Sequence, residues 1–214
     1  MGVAYNTSIV TDGLVLCLDA ANAKSYPGTG TTWYDISGNN NNATLYGSPV
    51  VSNGVFQFNG TTQYATVGSV NFASTNYTII GSSRYSGSIN GRIITGLLNN
   101  WLLGHLSNTT NNYYAEGWIS AVGPGATTTS WKMYAGTGNI SLDQYSLYSA
   151  DQQLVSNSAG GSAGPNGLSL GRWGPGGGSE YSTSEVGFIL AYNRVLSSAE
   201  ITKNFNALRG RYGL

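Results

Sequence analysis

Few side chains in this chain could do acid–base or nucleophilic chemistry. There are nine carboxylates (Asp12, Asp19, Asp35, Glu116, Asp143, Asp151, Glu180, Glu185 and Glu200), one histidine, His105, and one cysteine, Cys17. Cleaving a glycosidic bond takes two carboxylates facing that bond. No two acids here stand at i, i+2 in a strand-like run, and Glu180 and Glu185 would point to opposite faces of a regular strand. A catalytic pair would have to be assembled across strands, with Glu116, Glu180 and Glu185 as its candidates. A lone His105 cannot build a multi-histidine metal site, and no nucleophile-elbow context surrounds it; a hydrogen-bonded residue at a strand end is expected. Cys17 lies inside Leu14-Val15-Leu16-Cys17-Leu18 and has no disulfide partner, so it reads as a small buried hydrophobe. The glycine-rich Gly174–Gly178 has no following Lys-Ser/Thr and no helix, so it is not a phosphate loop. Binding chemistry is better supplied. Sugars offer C–H faces that stack on aromatic rings and hydroxyls that pair with amides. Trp33, Tyr34, Trp173 and Tyr181 lie close to loop signals and are the candidate ligand-binding residues. Trp118 and Trp131 are expected in the core. Trp173, beside Arg172 and the glycine-rich loop, suits surface and core equally.

The elements that must hold these residues are short strands. Only 8% of the 214 residues are charged, against roughly 25% in an average globular chain. With 15 Tyr, 5 Trp and 31 Gly, the composition describes strands joined by tight turns. Nine basic and nine acidic residues cancel, which leaves no electrostatic footprint for nucleic acid and little repulsion between copies, as suits a homo-oligomer or a larger assembly. No apolar run approaches the ~20 residues of a membrane span, and no secretory signal opens the sequence. Gly13–Asp19 reads as a continuous apolar strand. Val55–Phe58 and Tyr64–Val67 alternate on either side of Asn59-Gly60, a strong hairpin signal. Further runs begin at Ala43, Tyr77, Arg92, Trp101, Tyr113, Ser130, Gln144, Gln153, Leu168 and Glu185. About a dozen short strands with regular turn signals predict a two-sheet sandwich. One helix is expected, at the C-terminus. Ser197-Ser198-Ala199-Glu200 has capping-box spacing, Ile201, Phe205 and Leu208 share one helical face, and Gly210 ends it. The organisation expected is an N-terminal arm, 1–12, and one domain, 13–214.

Three stretches together resemble the laminin-G-like, concanavalin A-like jelly-roll domains. They are Gly13–Asn22 with Tyr26-Pro27-Gly28 and Trp33–Asn39; Phe58-Asn59-Gly60-Thr61-Thr62-Gln63-Tyr64; and Tyr192–Ile201. They stand in the family's order and cover nearly the whole chain. The resemblance implies an all-β, antiparallel two-sheet jelly roll with a short C-terminal helix. It also implies a calcium option, for which Asp19, Asn22, Asp35 and Asn39 are the best-placed oxygen donors; the same residues can instead fix turns by hydrogen bonding backbone. No cofactor is otherwise required. Relatives that hydrolyse glycans carry Glu-x-Asp-x-x-Glu or similar on one strand face, which this chain lacks. The C-terminal Asn206–Gly213 resembles domains of tailed-phage virion proteins. That resemblance implies a non-enzymatic capsid decoration or tail-fibre component located in the virion, with other virion proteins and host surface glycans as partners. A free carbohydrate-binding module is the alternative, and a glycan-active enzyme the third reading.

Overall fold

A computed structural model describes residues 8–120, 125–175 and 179–214. The strands in chain order are Leu14–Asp19 (β1), Thr32–Trp33 (β2), Ala43–Tyr46 (β3), Val50–Ser52 (β4), Val55–Asn59 (β5), Tyr64–Asn71 (β6), Tyr77–Asn90 (β7), Ile94–Gly96 (β8), Trp101–Leu106 (β9), Thr109–Ala115 (β10), Lys132–Asn139 (β11), Gln144–Ser149 (β12), Gln152–Ser158 (β13), Asn166–Leu170 (β14) and Ser182–Tyr192 (β15). They form two antiparallel sheets. The first runs β13-β12-β11-β7-β15-β5-β4, with β1 pairing the second half of β15; the second runs β10-β9-β8-β14-β6-β3-β2. This is the two-sheet sandwich that turn spacing and composition predict, and the antiparallel jelly roll that the resemblance implies.

The inner faces meet over an aromatic core that includes Trp33, Phe56, Phe58, Tyr77, Tyr85, Trp101, Tyr113 and Tyr134. Two of its hydroxyls are answered within it: Tyr77 and Tyr113 share a 2.6 Å hydrogen bond, the Trp101 indole donates to Tyr77, and Tyr113 donates to the Thr137 carbonyl. Buried tyrosines need such partners, because an unpaired hydroxyl in an apolar interior is costly.

The outer face of the first sheet is also covered. Cys17, Ile80, Met133, Leu190 and Tyr192 form a second apolar layer beneath Ile201, Phe205 and Leu208 of the helix Ser198–Leu208 (α1). This is why β1 and β15 read as continuous apolar runs: both of their faces are buried. The expected capping box is present, with the Ser197 hydroxyl accepting from the Glu200 N–H and Glu200 accepting from the Ser197 N–H. Residues 8–12 of the expected arm lie against the helix; Val10 N–H donates to Asn204 and the Val10 carbonyl accepts from Tyr192. Residues 1–7 of that arm lie outside the described residues.

Three local expectations need correcting. Asn59-Gly60 is not a hairpin turn. β5 belongs to the first sheet and β6 to the second, so this corner carries the chain between sheets. The Asn59 side chain holds the corner by accepting from the N–H groups of Thr61, Thr62 and Gln63. Gly60 sits there at φ 77° against Thr183, where a Cβ would collide. Gly210 does not terminate the helix; α1 passes into a 3₁₀ turn, Arg209–Arg211, and Gly213 takes the left-handed conformation instead. Trp118 is not core. It bridges Tyr114 on the outward side of β10 and is 39% exposed.

Candidate functional site

Strand alternation places two tyrosines side by side on the outer face of the second sheet. In β3, Ala43 and Leu45 point into the core and Thr44 and Tyr46 point out; in β6, Ala65 and Val67 point in. Tyr46 and Tyr64 are cross-strand partners, with rings 4.5 Å apart and 9° from parallel. β14 lies on the other side of β6, and where it ends, Gly171 turns the chain at φ 86°. The turn carries the Arg172 guanidinium to 3.5 Å from the Tyr64 ring centre. Tyr46 and Arg172 are too close to Tyr64 to share one side of its ring, so they occupy opposite faces. Tyr181, just before β15, meets Tyr64 edge-on at 6.3 Å and receives a long hydrogen bond from Arg172 at 3.4 Å. The result is a ladder: Tyr46, Tyr64, Arg172, Tyr181. Tyr64 has no free face, whereas Tyr46 is 40% exposed at the ladder's end.

A second rung adjoins it. The loop from Gly171 is pinned by Trp173 N–H donating to the Ser179 carbonyl and by Ser182 N–H donating to the Gly171 carbonyl. Arg92 lies over the Trp173 ring at 5.1 Å, donates to Glu180, and donates to Asn100 at 2.7 Å. The Asn100 N–H in turn donates to Glu116. Arg92 is thus neutralised by Glu180 and oriented by an amide.

The expected ligand-binding residues divide three ways. Trp173 and Tyr181 join this surface, each half-buried. Trp33 does not: it is fully buried and packs 4.5 Å from Phe56, so no ligand can reach it, a correction of its expected loop placement. Its position in a two-residue strand, with the ring turned inward, explains the difference. Tyr34 is 45% exposed but makes no ring contact with the ladder. Residues 176–178 of the expected Gly174–Gly178 loop lie outside the described residues. Tyr46, Tyr64, Arg92 and Arg172 escaped the sequence reading. The alternation in Ala43-Thr44-Leu45-Tyr46 and Tyr64-Ala65-Thr66-Val67 marks both tyrosines as outward; nothing in the sequence brings Arg172 to Tyr64.

The calcium set does not fit a cation that takes six to eight oxygen ligands. Asp19 accepts from Ala21 N–H and, at 2.6 Å, from Arg211. Asp35 accepts from the N–H groups of Cys17, Ser37 and Asn41 and from the Ser37 hydroxyl. Asn22 accepts from Lys24 N–H, and the Asn39 amide donates to the Leu14 carbonyl. All four act as turn fixers, and among the described residues no three His, Cys, Asp or Glu side chains converge.

The acids that a hydrolase would need are also engaged. Glu185 is buried at the edge of a groove of about 330 Å³ on the first sheet, held by Gln57 at 3.1 Å and Arg84 at 2.7 Å. Glu116 and Glu180 converge on the Asn100–Arg92 network described above. His105 is the last but one residue of β9, fully buried between Tyr85 and Tyr134 with its Nδ1 3.3 Å from Ser83, a hydrogen-bonded residue at a strand end as expected. Burial, with Lys132 nearby, pushes its pKa down to about 3, so it is neutral at physiological pH. Burial pushes the Cys17 thiol up to about 12, aided by Asp19 and Asp35.

The fold defines the class: a concanavalin A-like sandwich. No family model and no curated protein sequence matches the chain. Solved structures do. A mutant Trypanosoma rangeli sialidase displaying trans-sialidase activity matches 97% of this chain and 35% of its own, with TM-score 0.66 and 19% identity. The binding domain of Paraclostridial Mosquitocidal Protein 1 matches at TM-score 0.66 and 16% identity, over 92% of this chain and 52% of that one. Botulinum neurotoxin type C, in a structure titled for dependence of cell entry on two ganglioside molecules, matches at TM-score 0.64 and 14% identity, over 93% and 52%. The chain therefore spans about a third to a half of these proteins, and the likeness is one of fold.

Proposed function

We propose that this jelly roll is a non-enzymatic carbohydrate-binding domain that takes a sugar ring on the exposed face of Tyr46. The observation that carries this reading is the ladder itself. Tyr46 is held flat and in place by Tyr64, which is braced from behind by Arg172, so an aromatic face is presented with little freedom left to lose on binding. Arg172 and Tyr181 stand further along the ladder, beyond Tyr64, with guanidinium donors and a hydroxyl for a saccharide that runs along it. Two of the similar structures support the reading: Trypanosoma rangeli sialidase in complex with sialic acid, and botulinum neurotoxin type C, whose cell entry depends on interaction with two ganglioside molecules. Ion pairing of Glu180 and Glu185 with arginines favours binding over hydrolysis. A glycan array probed with the folded chain tests this: selective retention of a glycan set, lost in Tyr46→Ala, is expected. No retention by the wild-type chain, or hydrolysis abolished by Glu116→Gln or Glu180→Gln, would replace it.

The setting follows from the sequence resemblance: display on a tailed-phage particle, as capsid decoration or tail fibre, among other virion proteins. A near-neutral, charge-poor surface suits such packing. Stoichiometric recovery of the chain with purified particles is the expected result; its absence from them would leave the free carbohydrate-binding module.

A further inference from the structure

We infer that Arg172 makes this surface selective for saccharides that carry a carboxylate. The inference rests on the carbohydrate-binding reading and specifies its ligand class.

Two arginines stand side by side at this surface, and they differ in one respect. Arg92 lies over Trp173 and is answered by Glu180. Arg172 lies over Tyr64 and beside Tyr181 and is answered by no acid. The ion pairs among the described residues engage Arg84, Arg92, Arg194 and Arg211 and leave Arg172 out. All nine acids lie within those described residues, and each is engaged or placed elsewhere. Asp12 and Glu200 serve Arg194, Asp19 serves Arg211, and Glu185 serves Arg84. Asp35, Asp143 and Glu116 accept from backbone N–H groups elsewhere. Asp151 sits in the turn between β12 and β13, on the first sheet.

The Tyr64 and Tyr181 rings hold the guanidinium in place through its π contacts. Its Nε is buried without a partner, and a planar guanidinium fork matches a carboxylate with two parallel N–H···O bonds. Its Nη1 makes only a long, 3.4 Å contact to the Tyr181 hydroxyl. Glu180 is paired with Arg92 and Glu116 is held on the Asn100 N–H, so neither acid is paired with Arg172. A cation propped between aromatics, with no acid of its own and one ring along from the Tyr46 stacking face, is the arrangement that recognises the carboxylate of a saccharide running along the ladder. A nonulosonic acid and a uronic acid share that chemistry.

Titration calorimetry at low salt separates the outcomes. The probes are sialyllactose, its methyl ester, lactose and a glucuronate-terminated oligosaccharide. The acid form of sialyllactose should bind about tenfold or more tighter than its ester, and the preference should shrink as salt rises. Arg172→Gln should bring acid and ester to equal affinity, with an unchanged circular dichroism spectrum and thermal midpoint showing the fold to be intact. Arg172→Lys should keep part of the preference, because the charge remains without the fork. The glucuronate probe tells which acidic ring the pocket admits. Equal affinity of wild type for acid and ester, or a preference that survives Arg172→Gln, overturns the inference and leaves the carbohydrate-binding reading standing. Failure to bind all four probes, with none retained on a wider array, overturns both.

Discussion

Trp33 and Tyr46 should separate stability from binding. Both are aromatic residues on neighbouring strands of one sheet, and both could stack on a sugar by residue type. Trp33 is fully buried against Phe56, so Trp33→Ala empties a large volume that the surrounding rings only partly refill. Such truncations cost about 3–5 kcal/mol, a large share of the ~5–15 kcal/mol that holds a domain together. For a chain of this length the thermal midpoint should fall by roughly 6–20 °C. Tyr46 is 40% exposed and loses mainly one stacked pair, worth ~0.5–1.5 kcal/mol, or a few degrees. Its effect on ligand should be the reverse. Removing an aromatic anchor on the order of 1.4 kcal/mol or more weakens binding about tenfold or beyond. The assays are urea unfolding followed by tryptophan fluorescence and calorimetric titration of an array-selected glycan, at a temperature where both variants are folded. A Tyr46→Ala protein that binds like wild type, or a Trp33→Ala protein of undiminished stability that has lost its ligand, would refute the assignment of the two residues.

Other consequences follow from single contacts. Glu200 is held by Arg194 first and then by Ser197, which lowers its carboxyl from 4.5 to about 2. Its stabilising effect is therefore full above pH 4.5 and is lost as pH falls towards 2. The whole shift would amount to about 3 kcal/mol, but the side chain is 31% exposed and screened, so about 1 kcal/mol is expected. Glu200→Gln keeps the capping-box geometry, so the stability gap between wild type and variant should close between pH 5 and pH 2 in urea titrations; a gap independent of pH contradicts this. Tyr113→Phe removes the donor to Thr137 and the partner of Tyr77, and should cost about 1–3 kcal/mol in the same assay without altering glycan binding. The Cys17 thiol, pushed up to about 12 by burial, should resist a thiol-exchange reagent at pH 8 in the native protein and react fully in urea; rapid native labelling would mean that the layer under the helix opens.

Sequence alone determined the periodic features. Alternating and continuous apolar runs, glycine and asparagine punctuation and the Ser197–Glu200 spacing act over a few residues, and they fix strands, turns and a capped helix wherever the chain goes. The two-sheet class follows, since so many short strands with few charges can bury their faces only against each other. The second sheet's outward tyrosines were also readable, because side chains in a strand alternate. Which strands become neighbours depends on packing across the whole chain, and tertiary structure alone decided it. Asn59-Gly60 has a hairpin's residues and yet turns a corner between sheets: β5 pairs with β15 and β4 in one sheet, and β6 with β3 and β14 in the other. Trp33 has a loop's context and yet fills the core, because Phe56 lies beneath it. Tyr46, Tyr64, Arg172 and Tyr181 come from four separate parts of the chain, and long-range strand pairing brings them together. The energies that join them reside in contacts between residues far apart in sequence, which no local pattern records.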